Sequence, residues 1–245
     1  MTLPALAAVA GLVAAAHLGR NGSAAKLSLK NKKRIVDLVK QGLVSEARAL
    51  AEELGLDTLN LSGAKLTRAN LVDANLSNAN LTDAALYHAN LAGAVLAGAN
   101  LTGASLREAN LTGANLSGAK LLDAKLSNAN LTGANLTGAD LCYAGLTSAN
   151  LTSANLTEAN LAGAVLAGAN LTGVDLTGAN LTGASLTDAI LTGANLSGAN
   201  LTGADIEEAI EINIGPTRTF IGIPFKYIEA RSPFVPSRTT LRRTV

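Results

Sequence analysis

The chain has 245 residues, 48% of them hydrophobic but only 2% aromatic, with 24 Gly, no Trp and one Met. Layered cores draw on Phe, Trp and Met to fill irregular gaps, so this composition argues against a sandwich, a doubly wound sheet or a four-helix bundle and for a repeated small-residue architecture. A net charge of +1 argues against charge-driven disorder and a wholly basic nucleic-acid binder, and the single Cys142 excludes an internal disulfide or a multi-Cys metal site.

Residues 1–20 are read as an apolar anchor segment. Positions 3–18 are Ala, Leu and Val with one Pro, one Gly and His17. Thr2-Leu3-Pro4 is not the basic start of a signal peptide, and the stretch is short for a membrane span. Three placements stay open: a helix in or on a membrane, a helix against a partner, and an uncleaved leader. Residues 21–55 are expected to form a helical cap. Ile35, Val36, Leu38 and Val39 have helical spacing over 32–41, with Gly42 as a stop. Ser45 is expected to cap a second helix whose apolar stripe is Ala47, Leu50, Ala51 and Leu54, ended by Gly55. The run Lys30-Asn31-Lys32-Lys33-Arg34 suits an anionic surface but is equally a solvated face.

From position 56 to 206 every fifth residue is Leu, with Ile at the last. Ala stands two residues before almost every one, and the unit reads A-N-L-T-G, as in Ala99-Asn100-Leu101-Thr102-Gly103. A period of five fits neither a helix nor a strand. It fits a chain that turns a corner every five residues, with Leu and Ala inward. Four corners close a coil of 20 residues, and coils stack at about 4.8 Å. Sorting the residues before each Leu by a period of 20 isolates one class: Lys65, Ala85, Ser105, Lys125, Gly145, Val165, Ser185 and Asp205. It holds no Asn, whereas the other three classes are mostly Asn, so these eight are expected in one column on one face. That face concentrates Lys65, Arg68, Tyr87, His88, Arg107, Glu108 and Lys125 early, and Asp188, Asp205, Glu207 and Glu208 late. Gly follows its corner only at Gly168. Two explanations compete: drift at a solvent face whose corners use a different turn, and contact with a partner. Lys65, Arg68, Tyr87, His88, Arg107 and Lys125 are the candidate contact residues.

Residues 211–245 hold all three Phe (Phe220, Phe225, Phe234), together with Tyr227 and four of the five Pro. Short strands at 211–214 and 220–228 are expected to cover the last coil, followed by an extended Arg-rich segment. Phe220, Phe225, Tyr227, Phe234, Arg242 and Arg243 are the candidate tail anchors, since aromatic and Arg side chains dominate interface energetics. Charge is segregated: +4 over 1–55, −7 over 56–210 and +4 over 211–245.

The A-N-L-x-x run with Leu at its centre resembles the pentapeptide repeat family over residues 56–210. The resemblance implies an all-β solenoid: a right-handed quadrilateral parallel β-helix of about eight coils, here with an N-terminal helical cap and extended termini. Two departures stand out. Every central residue is aliphatic, whereas many members use some Phe, and one column lacks the Asn or Asp that the family usually keeps.

No catalytic constellation is found, and no metal or cofactor is expected. His17 and His88 are far apart in sequence, Cys142 follows a central Leu and should face outward, and no Gly-rich phosphate loop stands between a strand and a helix. The expected role is a non-catalytic structural or assembly subunit, a rigid rod anchored by its termini among protein subunits, with membrane contact through 3–18. The family's abundance in photosynthetic prokaryotes and chloroplasts implies a thylakoid setting; the sequence leaves the compartment itself open, and if the N-terminal segment spans a bilayer, the charges at 26–34 keep the rod on the cytoplasmic or stromal side. Recurrent Asn-Leu-Thr sequons argue against a secretory lumen. The alternatives are a DNA mimic that binds DNA gyrase, as some family members do, and a membrane-targeting adaptor. Nucleic acid is not an expected partner.

Overall fold

The computed structural model describes residues 23–56 and 58–209, with side chains from Leu29 onward. The expectations for 1–20, for the tail beyond 209 and for the anchors Phe220, Phe225, Tyr227, Phe234, Arg242 and Arg243 lie outside the described residues.

Two helices precede the repeats: α1 (Ser23–Lys40) and α2 (Val44–Glu53). Helix α1 starts well ahead of the expected 32–41. Its first turns carry good helix formers such as Ala24, Ala25 and Lys26, which sustain a helix without an apolar stripe. Both helices end the same way. Gly42 and Gly55 take φ of +77° and +67°. Around them Leu43 N–H donates to Leu38 O (3.0 Å) and Leu56 N–H to Ala51 O (2.9 Å). This is the Schellman closure, which needs a left-handed residue that Gly supplies without strain. Ser45 is not the cap of α2. Leu43 occupies that position with no side-chain capping bond, because Gly42 turns the chain straight into the helix and leaves Ser45 inside its first turn.

From Asn60 onward the chain is a four-sided coil. Parallel bridges link each residue before a Leu to the one 20 positions later: Asn60 to Asn80, Lys65 to Ala85, Asn70 to Asn90, Asn75 to Val95, and so on to Ser185 and Asp205. Each side of the coil is a single bridged residue rather than an extended strand. Two of every five residues are spent on the turn, which leaves too few for a longer ladder. All thirty central residues from Leu61 to Ile206 are buried, and the Ala column beside them is buried from Ala64 to Ala199. Leu56 is the exception to the expected inward register, at 42% exposed. Its amide is committed to the closure of α2, so the helix end, not the coil, fixes its direction.

The repeat can be read as a hydrogen-bond account. In the unit around Leu101, Asn100 N–H donates to Ala79 O in the preceding coil (2.9 Å). Leu101 N–H donates to Lys120 O (2.7 Å) and Gly103 N–H to Leu122 O (2.9 Å) in the following coil. Ala104 N–H closes the corner on Leu101 O (2.9 Å). The fifth amide, of Thr102, finds no backbone acceptor and donates to Asn100 Oδ1 (3.1 Å), which also accepts the Thr102 hydroxyl (2.7 Å). Asn is therefore the residue that completes the unit, through a side-chain turn available to short carboxamides and carboxylates. The second corner residue is left-handed at every turn from 63 to 208, Gly or not.

The helices meet the first coil directly. Ile35, Val39, Val44, Ala47, Leu50 and Ala51 join Leu59 and Leu61 in the same apolar core. Arg48 donates to Asn75 O through Nε (2.8 Å) and to Ser77 O through Nη2 (2.7 Å). These are carbonyls that, further along, would accept amides of a preceding coil. Lys32 Nζ donates to Ser62 Oγ (3.1 Å).

Candidate functional site

The bridges chain Lys65, Ala85, Ser105, Lys125, Gly145, Val165, Ser185 and Asp205 into one column. The side chains of Lys65, Arg68, Tyr87, Arg107 and Lys125 are exposed around it, with His88 half-buried. A different turn does not account for this face. Arg68, His88, Glu108, Asn128, Ser148, Asp188 and Glu208 hold φ between 55° and 58°, against +64° to +67° at Gly93, Gly103 and Gly113 on the other faces. The corner is the same, but here it is built from residues that adopt it less readily than Gly. Elsewhere, except where Tyr143 follows Asp123, a Gly in the following coil makes room for such a residue. The Asp73 side chain lies where a Cβ on Gly93 would be, and Tyr143 covers Gly163 in the same way. On the odd face bulky residues succeed one another from Arg68 through His88 and Glu108 to Asn128.

One consequence is a stacked cluster. The Tyr87 hydroxyl donates to Glu108 Oε1 (3.1 Å), and His88 Nδ1 lies 3.4 Å from Glu108 Oε2. The Tyr87 and His88 rings are 3.9 Å apart at 52°. The hydrogen bond to Glu108 raises the Tyr87 pKa, with smaller upward contributions from desolvation and the Glu108 charge, opposed by Arg68 and Arg107. The phenol therefore holds its proton more readily than a free tyrosine. Glu108, absent from the candidate contact set, is thus the residue that ties Tyr87 and His88 together.

The second consequence is a row of unpaired amides. On the other faces the fifth amide is met by Asn or Asp, as at Thr82, Thr112, Thr132, Thr137 and Thr177. Single interruptions there fall at Asn70, Val95, Lys120 and Ile190. On the odd face the residue before Leu has neither carboxamide nor carboxylate until Asp205, whose Oδ1 accepts the Glu207 amide (3.2 Å). Among the described residues, the amides of Tyr87, Arg107, Ser127, Thr147 and Ala167 have no acceptor within the protein. They point outward, since on the other faces the outward Asn side chain is what reaches them. The absence of Asn was legible in the sequence, but its effect on the backbone was not.

Charge follows the same face. Of the five Lys and Arg between 56 and 210, Lys65, Arg68, Arg107 and Lys125 lie here. Among the described residues the close pairs of ionisable groups are Lys40 with Asp37 and His88 with Glu108, so none of these four cations has an ion-pair partner. Other ionisable groups are spent on structure. Asp175 is held below its usual pKa chiefly by the Thr177 hydroxyl (2.5 Å), and burial raises the Cys142 thiol, helped by Asp140 and Asp123. A thiol kept protonated is a poor nucleophile. Among the described residues no His, Cys, Asp and Glu group could hold a metal ion, and no helix is long and apolar enough to cross a membrane.

A filled four-sided coil with a repeated A-N-L-T-G unit defines a class of binding or structural solenoid. The family model for pentapeptide repeats matches eight copies, over residues 60–96, 89–121, 119–157, 144–183 and 179–210. The chain belongs to the pentapeptide repeat family, whose members form right-handed quadrilateral β-helices and are generally non-enzymatic structural or binding proteins. Among solved structures, it is similar to HetL, a pentapeptide repeat protein involved in heterocyst differentiation regulation from the cyanobacterium Nostoc sp. strain PCC 7120. That match has 39% identity over 63% of this chain and 77% of that one, with a TM-score of 0.33. It is also similar to Rfr23 from the cyanobacterium Cyanothece 51142, at 42% identity over 38% of this chain and 64% of that one, with a TM-score of 0.37. A third is a pentapeptide repeat protein from the Arabidopsis thaliana thylakoid lumen, at 37% identity over 44% of this chain and 71% of that one, with a TM-score of 0.29. No curated protein matches the chain.

Proposed function

We propose that the protein is a non-catalytic structural or assembly subunit: a rigid rod of about eight coils, capped by α1 and α2, that binds protein partners through its odd face and its two ends. The observation that carries this is the contrast between a core already complete and one face that departs from it. Thirty buried central residues leave the rod no need of further surface. Yet exposed cations and unpaired amides are gathered on one side. The bonds from Arg48 to Asn75 O and Ser77 O support the helical pair as a cap, because an open coil edge must otherwise be covered or hydrated.

The division into an anchor at 1–20, a cap at 21–55, a rod at 56–210 and a tail at 211–245 belongs to the same proposal. Positions 3–18 supply an apolar contact to membrane or protein, and Phe220, Phe225, Tyr227, Phe234, Arg242 and Arg243 supply the second anchor. A membrane setting on the cytoplasmic or stromal side, such as a thylakoid complex, fits the cations at 26–34. The test is deletion of 1–20 and, separately, of 230–245. Each variant should keep its β-helix by circular dichroism and lose association with the parent complex or membrane. Undiminished association in both variants overturns the anchoring role. A gyrase-binding DNA mimic is the weaker reading. The rod is acidic as a whole, but Asp73, Asp83, Asp123, Asp140 and Asp188 are spread over its faces and do not form one continuous row. Inhibition of gyrase supercoiling by the purified protein would favour it.

A further inference from the structure

We infer that the basic half of the odd face is a docking site for a short, extended, acidic segment of a partner protein. The inference rests on the reading above, that this face meets a protein, and adds the chemistry of what it meets. Two independent observations point to an anionic ligand. The first is charge: Lys65, Arg68, Arg107 and Lys125, four of the five Lys and Arg between 56 and 210, are exposed, without an ion-pair partner and on one side of a rod of net charge −7. The second is the backbone. The amides of Tyr87, Arg107 and Ser127 lie between those cations, point outward and lack the side-chain oxygen that the same amide receives elsewhere. In the units around Asn100 and Asn130 that acceptor is a carboxamide oxygen, and in the unit around Asp175 it is a carboxylate oxygen. A carboxylate brought by a partner would complete the account that Ala85, Ser105 and Lys125 leave open. Amide donors flanked by cations form an anion-binding surface, in which each bond is strengthened by the charge of its acceptor.

The dimensions select the occupant. Three coil steps separate Lys65 from Lys125, about 14 Å at the usual interstrand spacing. An extended peptide covers that length with about four or five residues at roughly 3.3 Å each. Tyr87, His88 and Glu108 stand in the middle as a tied cluster, with the Glu108 carboxylate accepting from the Tyr87 hydroxyl and lying 3.4 Å from His88 Nδ1. A nucleic acid fits less well. Its charge continues beyond the basic stretch, onto Asp188 and Asp205 at the far end of the same face and over a body of net charge −7. A short acidic segment meets only the local field.

The test uses the full chain and a fluorescein-labelled hexaglutamate peptide, read by fluorescence anisotropy at low salt, with a dodecathymidylate strand in parallel. Wild type should bind the peptide, more weakly as salt rises. Lys65→Glu combined with Arg68→Glu should weaken it by about tenfold or more. Ala85→Asn and Ser105→Asn change no charge but supply each amide with its own acceptor. Each should weaken binding by about twofold to tenfold, the size of one net hydrogen bond. Circular dichroism shows that each variant keeps its coil, which Asn at these positions should favour. The proposal is overturned if wild type does not bind hexaglutamate, if the charge-reversed variant binds it unchanged, as it would through the Lys32–Arg34 cations of α1, or if the strand binds more tightly than the peptide. Failure here together with loss of association in the truncations would leave the subunit reading standing and remove only the acidic ligand.

Discussion

Removing one Asn from a regular face and adding one to the odd face should have opposite effects. Asn130 Oδ1 accepts the Thr132 amide (3.1 Å) and the Thr132 hydroxyl (2.6 Å). Asn130→Ala deletes both bonds. At about 1 kcal/mol net for each, and with Thr132 accessible enough for water to replace part of the loss, the variant should be less stable by about 1–2 kcal/mol. Ser105→Asn places a carboxamide where the Arg107 amide has no partner. It gains one bond, less the entropy of fixing the new side chain, and should be neutral to about 1 kcal/mol more stable. Equilibrium urea unfolding of both variants against wild type, compared at the same slope, reads the two changes directly. The reasoning fails if Asn130→Ala unfolds at the wild-type midpoint, or if Ser105→Asn destabilises as much as Asn130→Ala. Either result would mean that water serves the fifth amide as well as Asn does, and that the odd face lacks nothing.

Leu131 is fully buried in the middle of the rod, so Leu131→Ala should cost about 2–5 kcal/mol in urea unfolding. Arg48→Ala frees Asn75 O and Ser77 O and should cost about 1–2 kcal/mol, with hydrogen exchange accelerating in the first coil and not in the middle. Asp175 binds its proton less readily in the folded chain than in the unfolded one. Its contribution to stability is therefore present above the ordinary carboxylate pKa and lost as pH falls through its lowered folded value. Asp175→Asn, which keeps an acceptor for Thr177, should unfold with a smaller loss between neutral and strongly acidic pH than wild type. An equal loss would mean that other carboxylates dominate.

The unbroken spacing of Leu from 61 to 206 was enough to read the coil, because a period of five admits no helix or strand and each inward Leu is separately buried. The 20-residue column at Lys65 was also legible, since only a four-sided coil sets one class in four apart. The failures come where local backbone energetics compete with the repeat. Leu56 keeps the sequence register but is turned outward by the closure of α2 at Gly55. Ser45 is a good capping residue one turn too late, because Gly42 delivers the chain to the helix at Val44. At Arg68, His88 and Glu108 side-chain type points away from a left-handed corner, and the chain adopts one because the neighbouring coils fix every turn. The tie between Tyr87, His88 and Glu108 joins residues 20 and 21 apart, which only the stacked coil brings together.

If the column without Asn is a binding face, its open amides do the binding. The most direct measurement is the amide nitrogen–proton NMR spectrum of the full chain during titration with hexaglutamate. The largest shifts should fall on the amides of Tyr87, Arg107 and Ser127, with those of Thr102, Thr112 and Thr132, already met by Asn, nearly still. Shifts spread evenly over the four faces, or confined to α1, would contradict it.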